Sequence, residues 1–281
     1  MIRKILQAII ALGLLIYGYF FLSGSDLQPE FVGAGVIGLL TLLALLVESI
    51  VINRNRLGLM VYCKWLALRK QRIRFSMAYL YRIKVDDKYL LVKNSNFPHY
   101  QLVGGKYKIL EGTRSFLQKE FKAIDDPKLP NKDLMKDDFA LFIPASKAIK
   151  FLDWFNKGED REISHWREFY EELIEGKAKL LDKEKFPYIN YNFKGRIRTP
   201  IKRTPGWDCY EILQYDILDI IPTPEQRQEL KKLQEKGDKK YHKWADAELI
   251  RCLGHDNRQM KQLYDIGIHT KWALNMKWSK E

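Results

Sequence analysis

The densest set of groups able to do chemistry lies between Ser164 and Gly176, in the run SHWREFYEELIEG. Glu168, Glu171 and Glu172 stand at i, i+3 and i+4, which on a helical period gathers three carboxylates within about 100° of one face. Ser164 can cap such a helix, and Gly176 can end it. Three like charges repel, so something must offset them. One candidate is a divalent cation such as Mg2+, held by hard oxygen ligands and able to activate water. The other is a basic neighbour such as Arg167, one turn from Glu171. A solvated charged face is the plain alternative, and spacing alone does not separate these readings.

A second cluster has the opposite sign. Lys194, Arg196, Arg198, Lys202 and Arg203 fall within KGRIRTPIKR, which contains no acid and is flanked by Phe193 and Trp207. Guanidinium forks match phosphate oxygens, and on a strand Arg196 and Arg198 share a face. Aromatic rings nearby can stack on bases. A solvated basic loop on an already basic chain is the alternative, since the 281 residues carry a net charge of +13.

The elements that must position these groups follow a membrane-type beginning. Ile5 to Leu22 is apolar apart from Gln7, and Phe31 to Ile52 contains one ionisable residue, Glu48. At about 1.5 Å per residue both runs approach the roughly 30 Å of a hydrocarbon core, so the sequence predicts two transmembrane helices. Arg3 and Lys4 precede the first, the connection from Ser23 to Glu30 has no lysine or arginine, and Asn53 to Arg74 has seven basic residues and no acidic one. By the positive-inside rule both termini face the cytoplasm. Ala34 and Gly38 form a small-xxx-small pair suited to close helix contact. Leu57 to Arg74 reads as a basic juxtamembrane linker, either continuing the second helix or lying at an anionic lipid surface. Cys63, Cys209 and Cys252 show no motif spacing and suit reduced thiols.

From Phe75 onward the pattern is mixed α and β. Phe75 to Ile83, Tyr89 to Lys93 and Tyr100 to Val103 are strand-like, with a turn at Asp86-Asp87. Phe139 to Pro144 is a fourth strand, after which Ser146 caps an amphipathic helix ended by Gly158. Ile189, Tyr191 and Phe193 alternate with polar residues, Cys209 to Ile221 is strand-like, and Thr223-Pro224-Glu225-Gln226 carries a capping box. Trp244 to Leu253 is expected to be the last helix.

The run Arg167-Glu168-Phe169-Tyr170-Glu171-Glu172 resembles the second half of the Nudix box, R-E-U-x-E-E, with U a bulky apolar residue. Gly105 to Glu111 resembles its first half, a glycine, five residues and a glutamate, following the strand that ends at Gly104. Between the halves, Gly112 to Trp166 places 55 residues where the family normally has seven, and Ile174 stands where the closing glycine belongs. The VGG-KY run, the FLDWFN segment, REISHWREFYEEL and the membrane anchor are together similar to SMODS-associated Nudix proteins, effectors of bacterial CBASS anti-phage systems.

That resemblance implies an inner-membrane, multi-pass protein with an α+β Nudix-like cytoplasmic domain, a mixed sheet flanked by helices, over 75–281. A helix hairpin would occupy 1–56 and the linker 57–74, with an insertion at about 112–162. It also implies a sensor for a cyclic oligonucleotide made by a cognate nucleotidyltransferase, oligomerising on activation to breach the membrane. Ligand contacts are then expected from Arg196, Arg198, Lys202, Arg203, Gly104, Gly105 and Tyr100. The alternative is an Mg2+-dependent pyrophosphohydrolase in which Glu168, Glu171 and Glu172 hold the metal and do the catalysis, and a membrane adaptor without a small ligand is a third reading.

Overall fold

A computed structural model describes residues 2–93, 98–127, 137–158, 161–162, 164–176, 179–203 and 208–279, with side chains from residue 7 onward. It divides into two units, Met1–Tyr62 and Cys63–Glu281.

The first unit is a helical hairpin. Helix α1 (Ile2–Phe20) is followed by α2 (Gln28–Leu68), whose final residues belong to the second unit. Among the described residues only α2 is long and apolar enough to cross a membrane, and almost none of its apolar stretch is buried; Gln7–Phe20 forms a shorter apolar helix. Two spans were expected; among the described residues one helix is long and apolar enough, and the apolar stretch described for α1 is Gln7–Phe20. Contact within the hairpin is made through small residues. A Cβ on Gly35 would lie 2.9 Å from the Ala11 carbonyl oxygen, one on Gly38 2.8 Å from the Ala11 Cβ, and one on Gly18 2.9 Å from the Phe31 Cβ. Gly38 therefore acts as its spacing suggests, but its companion is Gly35, because Ala34 faces outward. The helix continues unbroken through the segment read as a linker and ends at Leu68, where Lys70 adopts a left-handed conformation and the Gln71 N–H bonds the Leu66 carbonyl.

The second unit is built on a mixed sheet. Its strands and helices begin with β1 (Arg72–Arg82), β2 (Lys84–Val85), β3 (Lys88–Lys93), β4 (Tyr100–Lys106), α3 (Thr113–Phe121), β5 (Ile124–Asp125), β6 (Ala140–Pro144) and α4 (Ala148–Lys157). They continue with α5 (Trp166–Phe169), which runs into a π-helical turn at Tyr170–Ile174, then β7 (Asn190–Arg198), β8 (Lys202–Arg203), β9 (Tyr210–Ile221) and α6 (Pro224–Glu235). Last come β10 (His242–Asp246), α7 (Ala247–Arg251), β11 (His255–Asp256), β12 (Lys261–Gln262) and α8 (Ile268–Asn275).

Strand β1 is the axis. It runs parallel to β9 along its length, while its other edge is shared by β6, opposite Arg72 to Ser76, and β4, opposite Ala78 to Tyr81. All of its residues but the two ends are buried, as a strand covered on both faces requires. Beyond β4 lie β3 and β10, and beyond β9 lie β7 and β8. The insertion between the box halves is thus no appendage, because it supplies β6 to the middle of the sheet and α4 to its cover. On one face Phe75, Tyr79, Tyr81 and Tyr107 pack against Phe151, Phe155, His165 and Phe169. On the other, Leu80, Leu102, Leu213 and Ile217 pack against Ile250, Trp272 and Ala273.

Local signals hold in part. Gly158 ends α4 at φ +78°, and Thr223 with Gln226 makes the capping box of α6. Ser146 lies in a 3-10 turn and does not cap α4, whose N-cap is Lys147. Trp244 to Asp246, expected as helix, is strand: it pairs with β3, Asp246 then caps the short α7, and the last helix is α8. Burial of both Trp244 and Ala245, on opposite faces of a strand paired with β3, outweighs the helical pattern of the residues that follow.

Candidate functional site

Gly104 and Gly105 bring the two halves of the box together. Gly104 has φ +144°, and a Cβ there would sit 2.2 Å from the Tyr79 carbonyl oxygen, so only glycine fits. Its N–H donates to Glu172 Oε2 at 2.8 Å. A Cβ on Gly105 would meet the Glu168 carboxyl group at 2.2 to 2.4 Å, so the absence of a side chain is what lets that carboxylate lie on β4. The acidic helix is short, and its π turn carries Glu171 and Glu172. His165 is the N-cap, with no side-chain cap, although Ser164 Oγ accepts weakly from the Trp166 N–H at 3.4 Å. A side chain on Gly176 would strike the Glu172 carbonyl oxygen at 2.4 Å, which explains glycine at the exit.

The three glutamates do not share one centre. Arg167 Nη1 donates to Glu168 Oε1 at 2.7 Å and to Glu171 Oε2 at 3.2 Å. Its Nε reaches Glu162 Oε1 at 3.1 Å, and its Nη2 reaches the Lys106 carbonyl at 2.8 Å. Glu171 is about half exposed, whereas Glu172 points to the Gly104 amide. Burial pushes the Glu172 carboxyl up to about 8, with the Gly104 N–H opposing, and burial likewise raises Glu168 against the pull of Arg167. Among the described residues no three His, Cys, Asp or Glu side chains are arranged to hold a metal ion. With Glu168 and Glu171 on Arg167 and Glu172 on the Gly104 amide, the donor set does not fit magnesium.

The basic residues are divided by the sheet. Arg196 and Arg198 are on β7, opposite Asp216 and Gln214 of β9. Arg196 Nε donates to Asp216 Oδ1 at 2.5 Å and Nη2 to Asp216 Oδ2 at 3.0 Å, while Nη1 reaches Asn156 at the end of α4 at 2.7 Å. Arg203 lies over the Tyr210 ring at 4.8 Å. Lys202 turns to the opposite face, 3.1 Å from the buried Glu211 and over Trp272 at 6.0 Å, so the four cations do not form one patch. A hairpin return puts Lys202 opposite Glu211, one residue out of phase with Arg196 and Arg198. Phe193 is 57% exposed beside Arg196, with the guanidinium 5.8 Å from its ring. Trp207 lies outside the described residues. Tyr100 is apart from both clusters: it is packed in the core on the α8 face, with its hydroxyl donating to the Lys240 carbonyl at 2.8 Å.

Between the acidic and basic groups runs a hydrogen-bonded chain that sequence reasoning did not single out. Tyr107 donates to Asp216 Oδ2 at 2.7 Å and is 2.8 Å from His165 Nε2, while His165 Nδ1 is 2.9 Å from the Tyr191 hydroxyl. Because the Tyr107 proton is committed to Asp216, its oxygen must accept from His165 Nε2–H, and Nδ1 accepts from Tyr191. Burial lowers His165 to about 4, so it is neutral at pH 7. The one available signal was Asp216 itself, an acid in the largely apolar run ILQYDIL.

Neither the curated proteins nor the solved structures contain a match to this chain. The family model for the SMODS-associated NUDIX domain matches residues 72–274, from the first strand to the last helix and across the whole insertion. The chain therefore belongs to the SMODS-associated Nudix family.

Proposed function

We propose that the chain is a membrane effector of a CBASS-type defence system, gated by a cyclic oligonucleotide that binds its Nudix-like domain. The family match and the apolar α2 support the two halves of this reading. The observation that carries the ligand half is the edge of the sheet at β7. There Arg196 and Arg198 share one face with Arg203 nearby, and the exposed Phe193 ring stands next to them. Phosphodiesters would take the guanidinium forks, and a base would stack on the ring.

Arg196 already holds a carboxylate, so a phosphate must compete with Asp216 for it. The exchange would loosen Asp216 from the sheet edge and pass to Tyr107 and His165, which touch the box helix. Ligand preference for the altered state would then drive assembly of several chains, since a single helical hairpin cannot enclose a lesion. Tethering in the inner membrane, with both termini cytoplasmic, raises the effective concentration for that step. Calorimetric titration of the full chain in detergent with a panel of cyclic di- and trinucleotides tests the reading. Saturable binding weakened by salt and by Arg198→Ala is expected, and binding indifferent to both would place the ligand elsewhere.

A further inference from the structure

The box needs a glutamate from its first half, and by spacing that residue is Glu111, yet Glu111 is exposed on a turn after β4. Besides Glu168 and Glu171 of the box helix itself, the carboxylate that reaches Arg167 is Glu162, which enters from the far end of the insertion. Its Oε2 also accepts the Lys108 N–H at 2.6 Å, so this single side chain ties the insertion to both halves of the box. Its placement is enforced by its neighbour: Arg161 is buried, donates to the Phe155 carbonyl at 2.8 Å and to the Glu162 carbonyl at 2.7 Å, and lies over the Tyr107 ring at 4.6 Å.

We propose that Glu162 takes the place of Glu111 in the split box, and that with Arg167 it forms a closed ion-pair latch joining the insertion to β4. The Arg167 fork is fully used: Nε on Glu162, Nη1 on Glu168 and Glu171, Nη2 on the Lys106 carbonyl. Positive charge that a cation would bring to Glu168 and Glu171 is thus supplied by a guanidinium, at bonding distance and partly shielded from water. Lys106 and Lys108 do the same for Asp138, at 3.4 and 2.7 Å, on the neighbouring stretch of the insertion. The box in this chain is a structural joint between two segments far apart in sequence.

The test uses the full chain in detergent, with Mn2+ as a spin probe and thermal unfolding as a second readout, neither of which involves a nucleotide. Glu162→Gln is expected to lower the unfolding midpoint while Glu111→Gln leaves it in place, and the shift of the Glu162→Gln/Arg167→Gln double variant should fall short of the sum of the single shifts. The parent should not deplete free Mn2+, whereas Arg167→Gln should bind it and lose that binding when Glu168→Gln is added. Equal shifts for the Glu111 and Glu162 variants, or additive shifts in the double variant, overturn the latch. So does Mn2+ binding by the parent that Glu168→Gln removes, a result that stands even if the Arg167 variant does not fold.

Discussion

The acidic box and the basic sheet edge sit on the same domain with opposite signs of charge; Arg167 and Arg196 are about equally enclosed, and the two regions differ in what stands beside them. Around Arg167 every carboxylate has a partner, and the side chains of Glu162, Glu168 and Arg167 are 11, 14 and 24% exposed. At β7 the cations are joined by a ring that is more than half exposed, and among the described residues β9 is the one strand paired with it. Both regions hold paired charges, and the basic edge alone sets an exposed aromatic ring, Phe193, beside them. A motif reports which residues are present; only partners and burial report which of them are available.

The comparison breaks most severely at Gly104. Gly104→Ala forces a Cβ onto a backbone carbonyl at a positive φ and displaces the amide that holds Glu172, so a loss of about 3 kcal/mol or more is expected. Urea unfolding of the full chain in detergent measures it, and a loss below about 1 kcal/mol would mean that the strand moves aside at little cost. Next comes Asp216→Ala, which leaves Arg196 and Tyr107 without their shared acceptor. Stability should fall by about 3 kcal/mol, as for a buried pair with one partner removed. If stability is unchanged, the chain from Arg196 to His165 does not hold the sheet edge to the box helix.

At the basic edge the expected losses are in affinity, not stability. Arg198→Ala should weaken nucleotide binding about tenfold to a hundredfold, one charge-assisted contact of roughly 1.5 to 3 kcal/mol. Lys202→Ala should instead act on stability, because it faces Glu211 on the other side of the sheet. Isothermal titration and unfolding measured on both variants separate the two faces; equal affinity losses would contradict the division.

The smallest effect is on pH dependence. His165 titrates near 6.5 when unfolded and at about 4 when folded, so the native state binds fewer protons between those values. Its contribution is therefore full above about pH 6.5 and is lost as pH falls toward 4, with less than about 1 kcal/mol lost between pH 7 and 6. His165→Gln should flatten that slope in thermal scans, and an unchanged slope would assign the dependence to other groups.

Much of this was legible in the sequence. The apolar run of α2, the strands β1, β3 and β4, the Gly158 stop and the Thr223 capping box follow from local pattern, and the split box was readable through its resemblance to the Nudix box. Features set by long-range pairing were not. Parallel pairing of β1 with β9 joins residues 137 apart, and the burial of Asp216 depends on Tyr107 and Arg196 arriving from other strands. The phase of Lys202 against Arg198 rests on the return between β7 and β8, which spacing cannot reveal. Gly35 was missed for a similar reason: Ala34 and Gly38 fit the expected i, i+4 pattern, while the contact itself uses i, i+3 against Ala11.

The central claim is that a nucleotide bound at the sheet edge gates damage by the helices, and dye release from vesicles tests it most directly. The 281-residue chain would be reconstituted in vesicles of bacterial inner-membrane lipid composition and exposed to cyclic di- and trinucleotides one at a time, beside the Arg198→Ala chain. Release only with a cognate nucleotide, shifted to at least about tenfold higher concentration by Arg198→Ala, is the expected result. Release that is the same with and without nucleotide would contradict it.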